Sequence, residues 1–115
     1  MYSLRITDDL PALVGARVTY PLGLWPVVSV RPKYKDDSGI MAHEIDGHVH
    51  QFWTGGMIIH ALRIKYSREY RKRCEVEAYK LQLKYRPDCL DWFAERLATA
   101  YDLNITKDEA LTLLS

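Results

Sequence analysis

A change of character at Asp37–Ser38 narrows the fold of this 115-residue chain more than anything else in it. Four of the five prolines stand before that point, at positions 11, 21, 26 and 32, and they break the segment into short pieces. Between the breaks, Leu4–Thr7, Ala16–Tyr20 and Val27–Arg31 are rich in β-branched residues and read as strands. Beyond Ser38 the next proline is Pro87, and the apolar spacing becomes helical. Asp37 or Ser38 can cap a first helix that runs to about Trp53 and stops at Gly55–Gly56. A second helical stretch starts near Met57 and continues to Tyr85, with a break near Ser67. Pro87 opens a third, in which Leu90, Phe93, Leu97 and Tyr101 recur at helical spacing. Thr106 followed by Glu109 is a capping box for a last short helix. The expected class is α+β: a small antiparallel, twisted N-terminal sheet followed by three to four helices. One domain spans 1–115, strand-rich over 1–37 and helical over 38–115.

Composition removes several function classes. A formal net charge of +1 gives no strong electrostatic case for nucleic acid or a membrane surface. The basic run from Lys65 to Arg73, interleaved with Tyr66 and Tyr70, is the one stretch that could track a phosphate backbone. Its more ordinary reading is the solvated face of a helix, which places nucleic acid last among the readings. No apolar stretch approaches the length that spans a bilayer. The first ten residues lack the basic start and apolar run of a secretory signal. Cys74 and Cys89 are too few for a disulfide framework, so reduced thiols and a cytoplasmic setting are expected. Cys74 has Ala78 and Leu81 as helical neighbours, which mark it as core.

The chemistry-bearing stretch is Ile40–Gln51, with three histidines and two acids behind an apolar lead-in. A His-Glu pair followed by a second His on one helix is the seed of a zinc site. Two neutral imidazoles hold the metal and the Glu polarises its water. Here His43 and His48 are five residues apart rather than four. On an ideal α-helix such positions lie about 140° apart around the axis and cannot converge on one ion. A π-bulge between them would absorb one residue and return both to one face. Gly47, just before the second His, suits a distorted turn because it has no Cβ.

These residues, His43–Glu44–Ile45–Asp46–Gly47–His48, read as HExxGH, and the chain there resembles the dipeptidyl peptidase III family of zinc peptidases. Its length is similar to that of the minigluzincins, and Ala42–His43–Glu44 through Val49–His50–Gln51 looks like small zincins of the HExxHxxQ type. The resemblance implies a zincin-like fold, a Zn2+ cofactor and a Glu as third ligand on a second helix, within an ExxA-like stretch. Glu75–Val76–Glu77–Ala78 supplies that stretch. Glu77 has Arg73 and Lys80 as helical neighbours, the pattern of a salt-bridged wet face. Glu75 has Ala78 and Tyr79 and is the better ligand. The resemblance covers only the motif helix and one turn near Glu75.

The expected activity is hydrolysis of a peptide or protein substrate through metal-activated water. His43, His48 and Glu75 hold zinc, and Glu44 is the general base. Tyr79, Tyr70 and His60 are candidate oxyanion donors. Asp46 is a candidate to orient a ligand imidazole, and His50 is expected near the site or on the surface. The resemblance also implies an edge strand that aligns substrate, for which Val27–Arg31 is the candidate. Trp25 and Trp53 are expected as aromatic core, with a cleft wall as the alternative. Two departures stand out: the large lobes of the dipeptidyl peptidase III enzymes are missing, and Tyr79 follows Ala78 where a familiar acid would stand. The rival reading is a non-catalytic α+β interaction module, of phage or mobile-element kind, with structural zinc or none.

Overall fold

A computed structural model describes the chain over residues 1–115. It is α+β, with a three-stranded N-terminal sheet followed by five helices. The strands β1 (Ser3–Ile6), β2 (Ala16–Thr19) and β3 (Val27–Val30) fall within one residue of the expected segments.

The sheet order is β1-β3-β2. β2 pairs antiparallel with β3, Ala16 opposite Val30, whereas β1 runs parallel to β3, Ser3 opposite Val27. The sheet is therefore mixed rather than antiparallel. Arg31 supplies the reason. Its guanidinium donates to the carbonyl oxygens of Asp8, Leu10, Pro11 and Val14 at 2.8–3.0 Å. It thereby straps the 8–14 loop across the end of β3 and delivers β2 to the far side. β1 is left on the other flank, pointing the same way as β3.

β3 is thus the central strand and not the edge. Val28 and Val30 are fully buried, as a short apolar run with neighbours on both sides should be. The edge that faces the helices is β2.

Helix α1 covers residues 38–54. It begins as α-helix at Ser38–Met41, becomes a π-helix over Ala42–Val49 and returns to α-helix at His50–Thr54. The Asp37 carboxylate accepts from the Ile40 N–H at 3.0 Å, which settles the cap. Gly56, at φ +95°, ends the helix in a conformation that side chains resist.

α2 (Ile58–Tyr66) is separated from α3 (Arg68–Leu83) by Ser67, whose hydroxyl accepts from the Tyr70 N–H. That cap turns the expected single stretch into two helices and raises the count to five. A 3-10 turn at Pro87–Cys89 leads into α4 (Leu90–Thr99). The reciprocal Thr106–Glu109 capping box opens α5 (Lys107–Leu114).

The main apolar core lies among α3, α4 and α5: Tyr79, Phe93, Ala94, Leu97, Leu103, Ala110 and Leu114. On the other flank of α3, Phe52 of α1 stacks on Tyr20 at 5.1 Å, and His60 of α2 closes edge-on against both rings. Trp25 and Trp53 meet edge to face at 5.8 Å. Their indole N–H groups donate to Ser3 Oγ and to the Met1 carbonyl, so they tie the start of the chain to α1. No helix is long and apolar enough to cross a membrane.

Candidate metal centre

The π-segment does what the five-residue spacing requires. With i to i+5 hydrogen bonding, the second imidazole comes round to the first. The rings of His43 and His48 lie 4.9 Å apart, both buried. Gly47 has a different job from relieving the turn, since its φ is not positive. It faces α3: a Cβ there would lie 2.9 Å from Ala78 Cβ and 3.2 Å from Ala78 Cα. The missing side chain lets the two helices close, and Glu75, one turn before Ala78, comes over the histidines.

Glu75 Oε1 stands 3.1 Å from His48 Nε2 and 3.4 Å from His43 Nε2. The three candidate ligand atoms lie within 4.8 Å of one another. A tetrahedral zinc with bonds of about 2.0–2.1 Å separates its ligands by about 3.3 Å. Two of the three separations already match, and two imidazoles with one carboxylate are a donor set zinc accepts. Cys74 is not among the converging groups.

His48 is held from behind. Gln51 Nε2 donates to the Cys74 carbonyl at 3.0 Å and to Glu77 at 3.2 Å, so its Oε1 is the atom that accepts from His48 Nδ1–H at 3.0 Å. This leaves Nε2 as the metal-facing nitrogen, with Gln51 in the orienting role expected of Asp46. Asp46 and His50 are both exposed on the outer face of α1, away from the cluster, because the π-turn spends its inward positions on His43, Glu44, Gly47 and His48. His43 is placed by packing: its ring meets Tyr79 edge-on at 4.4 Å, and its Nδ1 has no hydrogen-bond partner.

Glu44 is buried beside this cluster, Oε1 at 3.8 Å from His43 Nε2, and Oε2 has no partner. Burial pushes its carboxyl above the usual range; the two histidines pull the other way, and Glu75 adds to the rise. For Glu75 burial also acts upward, but the His48 and His43 imidazoles outweigh it and hold the acid down, to about 2. For His48 burial acts downward, yet the Glu75 carboxylate lifts it, to about 9. In the metal-free chain His48 is an imidazolium that gives one N–H to Gln51 and the other to Glu75.

These four residues line a cleft of about 600 Å³. β2 and the turn before it form one wall; α3, α4 and Tyr101 contribute the other. Tyr79 lines the cleft, its hydroxyl bonded to that of Tyr101 at 2.6 Å. Tyr70 and His60 do not reach it. They bond to each other at 2.6 Å, and His60 Nε2 meets the Tyr20 hydroxyl at 3.3 Å. Burial holds His60 down, to about 4, with the nearby cations adding to the effect.

The sequence reading assigned no role to Tyr20, and to Gln51 only a place in the HExxHxxQ resemblance. Tyr20 ends a strand and carries no motif signal. Gln51 stands three residues after His48, one helical turn on, and that spacing was a usable sign.

The cations of the basic run are largely spent on structure. Arg71 donates to the carbonyls of Tyr101, Ile64 and Asp102, and Arg73 lies over the Tyr70 ring, as does Arg63 just ahead of the run. Comparison of the chain with protein-family models, curated proteins and solved structures finds no match.

Proposed function

We propose that this chain is a small gluzincin-like zinc peptidase, with His43, His48 and Glu75 holding the ion and Glu44 as the general base. The observation that carries the reading is the convergence of His43, His48 and Glu75, whose ligand atoms lie within 4.8 Å of one another, in a cleft that Glu44 also lines. A zinc ion bound there would supply Lewis-acid polarisation of the scissile carbonyl and of the attacking water. Three protein ligands leave the coordination position that a catalytic site needs.

The chain's own residues supply the rest. Glu44, held above the usual carboxylate range, is suited to take a proton from water and pass it to the leaving amine. Gln51 keeps His48 in the tautomer whose Nε2 is free to ligate. β2 pairs only with β3, so its outer edge is open along the cleft and can take an extended peptide as an added strand. Tyr79 and Tyr20, both lining the cleft, are the candidate donors to a tetrahedral oxyanion.

The test is elemental analysis and peptide hydrolysis on one set of proteins. The wild type should hold about one zinc per chain. His43→Ala, His48→Ala and Glu75→Ala should each lose it. Glu44→Gln should keep zinc and fold while hydrolysis falls by about 10²–10⁴-fold. No zinc binding even in excess metal would end the peptidase reading in favour of an interaction module.

A further inference from the structure

The helix opposite β2 carries two side chains that neither the core nor the metal centre uses. Trp92 and Arg96 lie four residues apart on α4, hence on one face, and both line the cleft. Trp92 is 54 % exposed, although α4 buries Phe93, Ala94 and Leu97 in the core. Neighbouring ion pairs run between Arg86 and Asp88, and from Lys107 to Asp91 and Glu95; Arg96 takes part in none.

The acids of the cleft do not offset the Arg96 cation where a ligand would lie. Asp37 caps α1, Glu75 is held by the two histidines, and Glu44 is buried. Arginine and tryptophan are also the residues that most often dominate recognition, through bidentate pairing and apolar area.

We infer that Trp92 and Arg96 form a specificity subsite that selects peptides bearing a carboxylate, with an apolar residue beside it, on the α4 side of the cleft. Arg96 receives the carboxylate and Trp92 covers the neighbouring apolar side chain. This rests on the peptidase reading only in calling the bound peptide a substrate.

Binding to zinc-loaded Glu44→Gln protein tests it, read by fluorescence anisotropy. The probes are labelled alanine-based heptapeptides with a central Phe-Glu, Phe-Gln or Phe-Lys pair and an amidated C-terminus. A fourth probe carries Phe-Gln and a free C-terminus, to separate a side-chain carboxylate from a terminal one. One of the two carboxylate peptides should bind about tenfold tighter than the amidated Gln peptide. Arg96→Met, which keeps the apolar stem, should remove that preference, and Trp92→Ala should weaken all four probes. Equal affinities across the probes, or a preference that survives Arg96→Met, would overturn the subsite. If wild-type protein cleaves none of the peptides while the Arg96-dependent preference holds, the peptidase reading fails and the subsite stands. Cleavage of all four at equal kcat/KM, without preference in binding, has the reverse meaning.

Discussion

Gly47 of α1 faces Ala78 of α3 with no room for a methyl group between them. The contact sits one turn from Glu75 and within one residue of His48, so helix packing and ligand convergence are the same event. Gly47→Ala should force the helices apart by several tenths of an ångström and destabilise the fold by about 1–3 kcal/mol. Zinc affinity should fall with it, because Glu75 moves away from both imidazoles. Ala78→Gly in the same chain should recover much of both losses. Denaturant melts and zinc titrations of the two single variants and the double variant give the coupling. A Gly47→Ala protein with wild-type stability and affinity would contradict the packing argument.

Gln51 joins three parts of the site: His48 Nδ1, the Cys74 carbonyl and Glu77. Gln51→Ala leaves the His48 N–H buried without an acceptor. It should cost about 1–3 kcal/mol of stability and about 10–100-fold in zinc affinity. Gln51→Glu restores an acceptor to His48 while losing the donor to Cys74. Zinc titration should therefore show Gln51→Glu binding more tightly than Gln51→Ala. The reverse order would mean that His48 is oriented by something else.

The His48–Glu75 pair makes zinc binding pH-dependent. His48 is raised from its ordinary 6.5 to about 9 in the metal-free chain, so zinc must displace its Nε2 proton. Affinity should rise about tenfold per pH unit up to about pH 9 and then level off. Calorimetry at pH 7 in buffers of different ionisation enthalpy should report about one proton released per zinc. Without metal the linkage has two signs. The raised His48 stabilises fully below pH 6.5, and that contribution is lost as pH rises through about 9. The lowered Glu75 stabilises above 4.5, and its contribution is lost as pH falls through about 2. The stability difference between wild type and Glu75→Gln, both stripped of metal, should thus peak between pH 4.5 and 6.5. A flat difference across the range would remove the pair from the account.

His60 acts in the opposite sense. It is buried neutral between Tyr20 and Tyr70, with its pKa lowered from 6.5 to about 4. Its folded state binds the proton less readily than the unfolded chain, so the stabilisation is present above pH 6.5 and lost as pH falls towards 4. The loss should be about 3 kcal/mol. His60→Gln, which can still bond both hydroxyls, should flatten the stability curve between pH 4 and 6.5. An unchanged slope in that variant would assign the acid sensitivity to another group.

Local physics determined a large part of this protein from its amino acids alone. The prolines before Ser38, the Asp37–Ser38 cap site, the break near Ser67, the Thr106–Glu109 box and the helical apolar spacing located nearly every element, because each acts within a turn or two of chain. The five-residue spacing of His43 and His48 even demanded a π-turn, and one is present over Ala42–Val49. Tertiary structure alone decided the rest. It put β3 in the middle of the sheet, through an Arg31 strap that local pattern does not announce. It gave Gly47 a helix-packing role, turned Asp46 outward and Gln51 inward, and withdrew His60 and Tyr70 into a separate cluster. Glu75 meets His48 across 27 residues of chain. Such a meeting depends on how two helices close on each other, and a residue's spacing within its own helix carries no information about which face of another helix it will meet.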